Sequence, residues 1–273
     1  MKIKDHFLSQ EEFELIETHT KGVFKTTPIP QNISKYYESE DYISHHQDSG
    51  SFKEKLYKFL QSFNLKYKQN ILLERIPKHS KVLDYGCGAG EFVKFIENNF
   101  TTFGFEPDTD ARKVAQTKIS KTIIIDDLGK IENHSLDAIT LWHVFEHVEN
   151  QKEMLEIFHS KLKDKGVLII AVPNFTSYDA KHYKEFWAAY DVPRHIYHFS
   201  KKGMENLISE NKNWNLKKIK PLLLDSYYIS MLSEKYKKSS LFWLKAMIHG
   251  TISNVKALNS NEFSSLIYVI EKK

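Results

Sequence analysis

Short apolar runs and amphipathic stretches alternate along most of this chain. Val82 and Leu83 open a short apolar strand. A turn through Gly86, Gly88 and Gly90 follows, and Phe92, Phe95 and Ile96 then recur at helical spacing. The alternation repeats downstream. Residues 103–105 predict a second strand ending at Glu106, and Asp108, Asp110 and Ala111 begin a helix after it. The run T-I-I-I predicts a third strand, with Asp126, Asp127 and Leu128 at its carboxyl end. Ile139 and Leu141 mark a fourth. Met154, Leu155, Phe158 and Leu162 stripe the next helix, which Gly166 is expected to cap. Residues 166–173 are wholly apolar, as in a parallel strand covered on both faces. A sixth strand over 214–224, helices over 225–236 and 240–258, and a last strand over 264–271 complete the pattern. Strands alternating with helices predict an α/β fold with a mostly parallel sheet and helices on both faces.

Upstream the pattern changes. Residues 1–50 form an N-terminal extension in which Phe13, Leu15 and Val23 flank a polar H-T-K-G turn, predicting a β-hairpin. Residues 36–45 are dense in aromatics. They read either as a loop pinned by its tyrosines or as a lid, with Tyr37, Tyr42 or His45 on a ligand. Residues 51–76 predict one or two helices, with Phe52, Leu56, Phe59, Leu60 and Phe63 in one stripe and Ile71, Leu72 and Ile76 in another. Pro77 stops them. They are expected to cover a face of the sheet and roof the pocket of a main domain over 51–273.

A strand, a glycine turn and a helix make a cofactor-binding corner, and the spacing narrows the ligand. The dinucleotide fingerprint G-x-G-x-x-G brings a pyrophosphate to a helix N-terminus. Here the spacing is G-x-G-x-G, with Asp84 two residues ahead of the first glycine. A carboxylate there suits a ligand carrying an ammonium group and a sulfonium better than a diphosphate. Glu106 lies twenty positions after Gly86, where doubly wound folds place the acid that binds a ribose. An exposed strand-end acid is the plainer alternative.

D-Y-G-C-G-A-G-E-F resembles the first motif of class I S-adenosylmethionine (SAM)-dependent methyltransferases. W-H-V-F-E-H-V resembles an H-V-L-E-H element of the ubiquinone-biosynthesis-like members, and D-x-P-R-H-x-x-H-F-S their substrate-side motif. The resemblance covers the chain from about 80 onward well and 30–76 more weakly. It implies a Rossmann-like seven-stranded sheet whose last strand inserts antiparallel between the fifth and sixth. The implied cofactor is SAM, held by Tyr42, His45, Asp84, Gly86, Cys87, Gly88, Gly90, Phe92, Glu106, Pro107, Asp126, Asp127, Leu128, Trp142 and His143. Asp126 and Asp127 read equally as caps of the following turn.

Residues 174–200 connect the fifth strand to the next helix, and in this fold that connection overhangs the active site. Trp187, Tyr190, Asp191, Arg194, His195 and His198 are the implied substrate-side residues. An Asp–Arg pair that simply locks the loop is the alternative. His195, His147 and His143 are the candidate bases, because histidine titrates near neutrality. His147 is expected on the first turn of the helix after the fourth strand. The 225–260 insertion either lines the acceptor pocket, forms a homodimer contact or covers the core.

Composition adds boundaries. The 273 residues carry a net charge of +4, and the lysines at 217, 218 and 220 read as a solvated face, so no nucleic-acid partner is expected. The single cysteine, Cys87, excludes an intrachain disulfide and is either a nucleophile or a small residue filling a tight turn. The cysteine pairs that precede residues 36–45 in some members of the resembled family are missing, so no metal is expected. No apolar leader opens the chain and the run 167–172 is too short to span a bilayer, which predicts a cytoplasmic enzyme. A small-molecule or glycan acceptor fits the aromatic segment. Two rivals stand beside this reading. A nicotinamide-dependent oxidoreductase would want a later third glycine and a Tyr-x-x-x-Lys pair, and a non-catalytic SAM-binding protein would lack polar groups in its pocket.

Overall fold

The computed structural model describes residues 1–37 and 52–273, with the side chains of 52–57 left aside, so Tyr42 and His45 lie outside the described residues. In chain order the strands are β1 (Lys2–Lys4), β2 (Glu12–Glu17), β3 (Val23–Thr27), β4 (Lys81–Tyr85), β5 (Thr101–Phe105), β6 (Ile123–Ile125), β7 (Leu136–Trp142), β8 (Leu162–Pro173), β9 (Tyr197–Phe199), β10 (Trp214–Pro221) and β11 (Ser265–Lys272).

The main sheet has seven strands in the order β10-β11-β8-β7-β4-β5-β6. Strands β4 to β8 pair in parallel, and β11 lies antiparallel between β8 and β10. The chain leaves β4 toward β5 on one side, while β7 lies on the other. This places a topological switch point at the carboxyl ends of β4 and β7, where open α/β sheets bind ligands. The apolar positions explain the layering. Leu83, Ile139, Leu168 and Ile170 face one buried cluster, and Val82, Ala138, Ile169 and Ala171 the other.

The predicted hairpin is present as β2 and β3, but it belongs to a larger unit. β1 and β9 add to its two edges, with Val23 opposite Phe199 and Lys25 opposite Tyr197. Residues 174–200 therefore fold back onto the N-terminus. Their aromatics Tyr183, Trp187 and Tyr190 form a third core with Ile3, Phe13, Leu15 and Tyr36.

Some local expectations are corrected. The helix Gln151–Lys161 ends before Leu162, which instead starts β8 opposite Leu136. Gly166 thus sits inside a bulged strand, where a Cβ would meet the Lys163 carbonyl oxygen at 2.8 Å, and does not cap the helix. His147 closes the 3-10 turn Phe145–His147 ahead of the helix. The helix Phe52–Leu73 is continuous, and Ile71 and Leu72 are buried as the pattern requires. Phe59 and Phe63, however, are 66% and 59% exposed. Among the described side chains of this helix, those of its carboxyl-terminal part reach the sheet.

Candidate active site

The loop after β4 is shaped by positive φ at Gly86 (75°), Gly88 (53°) and Gly90 (81°). The three glycines have different reasons. A Cβ on Gly86 would lie 2.6 Å from Val144 Cγ2, and one on Gly90 3.0 Å from Ala115 Cβ, so both serve close packing. Among the described residues, a Cβ on Gly88 would meet nothing within 4 Å. Its bare backbone faces open space at the switch point, as a cofactor cradle needs. Phe105 O accepts hydrogen bonds from Gly86 N–H (2.8 Å) and Cys87 N–H (3.0 Å), tying the loop to β5.

Both predicted acids border this cradle. Glu106 Oε2 accepts from Gly88 N–H (2.8 Å) and Oε1 from Asp108 N–H (2.9 Å), so the carboxylate is oriented and each oxygen keeps a lone pair for a hydroxyl. Asp84 is 3% exposed and accepts from Thr140 Oγ1 (2.6 Å). Burial pushes its pKa up to about 7 against the pull of Thr140 and the Lys68 charge. A cationic ligand group would restore its ionised form. Cys87 is buried beneath the turn, close to Gly104, and burial raises its thiol pKa far out of the reactive range. It fills the turn.

The other expected cofactor residues divide. Phe92 is buried, edge-on to Trp142 at 5.3 Å, and supports the tryptophan from below. Pro107 is exposed, its carbonyl accepting from Arg112 (2.6 Å). Asp127 caps the turn Leu128–Lys130 through Gly129 N–H (2.8 Å), while Asp126 pairs outward with Lys130. The turn-capping reading holds for Asp127, and Asp126 belongs to the surface.

Beyond β7 the backbone of His143 takes φ 56°, which swings the ring off the strand end. Its Nε2 lies 2.8 Å from Asp225 Oδ2 and its Nδ1 3.4 Å from Glu146 Oε1. Burial opposes the imidazolium, but the two carboxylates outweigh it and raise the pKa to about 10. A ring already protonated at neutral pH takes up no further proton, so His143 drops out as a base.

Glu146, 1% exposed, is the hub of a second group. Neither carboxylate oxygen makes a well-formed hydrogen bond among the described residues, and its charge is met by the protonated His143, 3.4 Å from Oε1. His195 Nε2 is 3.9 Å from Oε1, and His195 Nδ1 donates to Ala189 O (2.9 Å). Burial and the neighbouring His147 lower the His195 pKa to about 4, so its ring is neutral with Nε2 unprotonated. His147 stands edge-on to it at 4.7 Å, with Nδ1 2.9 Å from Arg194 O and 3.2 Å from Tyr37 Oη. Glu146, His147 and His195 together offer three ligand atoms within 4.8 Å of one another.

The remaining substrate-side residues sit deeper than expected. Arg194 is 1% exposed and its guanidinium donates to Asp5 (2.9 Å), Asp191 (2.7 Å) and Tyr36 O (3.0 Å). It locks the hairpin to the 174–200 segment and has no free edge for a substrate. His198 is buried on β9 with Nε2 2.9 Å from Thr26 Oγ1, and Trp187 donates to Asp179 (2.7 Å). Tyr190 packs edge-on to Trp187 in the third core. A narrow crevice lined by Trp187, Ala189, His195, Tyr197 and His198 reaches this region, and a second one borders Trp187, Tyr190, Asp191 and Arg194.

Sequence reasoning missed Lys68, Asp225 and Glu146. The Lys68 ammonium stands 4.6 Å from the Trp142 ring centre, and burial lowers its pKa against the opposing charges of Asp225 and Asp84. Nothing in an amphipathic helix singled it out. Glu146 lay inside a motif read only for its histidines.

The switch-point cleft, the bare Gly88 backbone and the flanking Asp84 and Glu106 define a Rossmann-like nucleoside-binding fold. A family model described as a methyltransferase domain matches residues 54–218, more than half the chain, and the protein belongs to that family, whose methyl donor is SAM. An uncharacterized protein of Methanocaldococcus jannaschii is 30% identical over 151 residues, 51% of this chain and 58% of that one. The ubiquinone biosynthesis O-methyltransferase of Rickettsia bellii is 28% identical over 124 residues, 39% of this chain and 50% of that one. The chain thus spans about half the length of these curated relatives. Among solved structures, a putative sarcosine dimethylglycine methyltransferase from Galdieria sulphuraria has a TM-score of 0.52 at 13% identity, covering 78% of this chain and 86% of that one. The mycolic acid cyclopropane synthase CmaA1, complexed with SAH and CTAB, has a TM-score of 0.52 at 13% identity, covering 76% and 83%. These two share the fold. The oxidoreductase alternative gains no support. Among the described residues, no helix is long and apolar enough to cross a membrane.

Proposed function

We propose that this protein transfers the methyl group of SAM to a hydroxyl of a small molecule or glycan. The open backbone at Gly88 between two buried carboxylates carries the reading. Glu106 would hold the ribose hydroxyls and Asp84 the ammonium group, with Lys68 placed to meet a carboxylate. When bound, SAM supplies an electrophilic methyl on a sulfonium, so the chain's task is chiefly alignment and proton handling. His195 is the preferred base. Its Nδ1–H is anchored on Ala189 O, leaving Nε2 to take the hydroxyl proton, and Glu146 at 3.9 Å favours the imidazolium that results. His147 is the alternative base, and His143 serves as a fixed positive charge.

Calorimetry with SAM and NADH tests the cofactor, and isotope-labelled methyl donor offered to metabolite pools tests the acceptor. His195→Ala should keep SAM affinity within a few-fold while turnover falls by about 100-fold or more. Full turnover in both His195→Ala and His147→Ala would remove the histidine base.

A further inference from the structure

Three helices outside the cofactor cleft converge on a second histidine–carboxylate group. His182 lies on Tyr178–Tyr183, Glu234 on Asp225–Tyr236 and His249 on Phe242–Ser260. One ligand atom from each lies within 4.8 Å of the others. The two imidazoles stack at 3.8 Å between ring centres, inclined by 24°. Neither forms a side-chain hydrogen bond among the described residues, and His249 Nδ1 is buried without a partner. Glu234 is 2% exposed, its Oε2 has no hydrogen-bond partner, and no lysine or arginine among the described residues forms an ion pair with it. Tyr183 Oη and Ser230 Oγ are buried beside it; the Tyr183 hydroxyl interacts with both Ser230 and Glu234, but neither hydroxyl makes a well-formed hydrogen bond. Buried polar atoms are rarely left this way, and here they gather where three helices meet.

We propose that His182, Glu234 and His249 bind a divalent zinc-class cation. Two imidazole nitrogens and a carboxylate oxygen suit such an ion. An equilateral triangle of the limiting edge has its centre about 2.8 Å from each corner, so each atom moves in by less than about 0.8 Å to reach bonding distance, and the stacked rings tilt apart so that both nitrogen lone pairs point at the ion. Tyr183 Oη or a water completes four-coordination. The ion pins together the acceptor-side segment and the helix that presents Asp225 to His143.

The test uses the full chain, stripped with a chelator and titrated calorimetrically with Zn²⁺. One equivalent should bind, and zinc at 100 times its Kd should raise Tm by about 5–10 °C. Cobalt should give a four-coordinate visible spectrum. His182→Ala and His249→Ala should each weaken zinc binding by about 100-fold or more. Glu234→Gln, nearly isosteric, should do so with SAM binding and the far-ultraviolet spectrum unchanged. Absence of stoichiometric zinc would overturn the proposal. So would zinc retained by His182→Ala and His249→Ala but lost in His147→Ala, which would place the ion beside Glu146. SAM binding is read separately, so failure of the cation site leaves the methyltransferase reading standing.

Discussion

Replacing Gly88 by alanine separates cofactor recognition from folding. At φ 53° an alanine occupies the left-handed region, which costs about 1–2 kcal/mol. For a chain of this size that lowers Tm by about 2–8 °C. No steric cost adds to it, because the new methyl meets no atom of the described residues within 4 Å. The methyl occupies only the space assigned to SAM. A displacement of about 1 Å at such a contact costs about 100-fold in reaction rate, and affinity should fall comparably, by about 2.7 kcal/mol. Calorimetry with SAM reads the affinity, and a far-ultraviolet melt reads the fold. Gly86→Ala is the contrast. Its methyl would lie 2.6 Å from Val144 Cγ2, so it should lose stability first. A well-folded Gly88→Ala variant that bound SAM within threefold of wild type would refute the cradle.

Asp225→Asn should bring the His143 pKa down from about 10. The stabilisation from this pair is complete below the ordinary histidine value near 6.5 and fades as pH rises through about 10. Tm of the wild type should therefore fall between pH 7 and 10.5 more steeply than that of the variant; equal slopes would show that the pair is not coupled in solution. Arg194→Met leaves the buried Asp5 and the partly exposed Asp191 without their counter-charge, a loss of about 3 kcal/mol or more, most of it from Asp5. It should lower Tm by about 10 °C and open the N-terminal hairpin to limited proteolysis, and a change of under 2 °C would contradict the lock.

The cofactor half was legible because its cues are local. A turn needing positive φ declares itself through Gly86, Gly88 and Gly90, and the wholly apolar run 166–173, short and bounded by Gly and Pro, fits a strand covered on both faces. The antiparallel last strand came from family likeness. The acceptor half was obscure because its partners are distant in sequence. Nothing around Arg194 announces Asp5, 189 positions away, and nothing near Tyr197 announces Lys25. Gly166 misled because a glycine after a helical stripe reads as a cap, whereas Leu162 gains more by pairing with Leu136. The exposed Phe59 and Phe63 followed a helical period that has no sheet beneath it.

The strand exchange between β3 and β9 has a practical bearing on how the protein is handled. The opening residues form one mechanical piece with the loop that carries His195, since Thr26 Oγ1 donates to His195 O (2.7 Å) and Thr26 N–H to Ile196 O (2.9 Å). Trimming the amino end, or burdening it with a bulky fusion, should disturb the proposed proton acceptor while sparing the proposed nucleoside site. A preparation altered there would take up SAM normally and turn over poorly, and could be mistaken for an inactive enzyme.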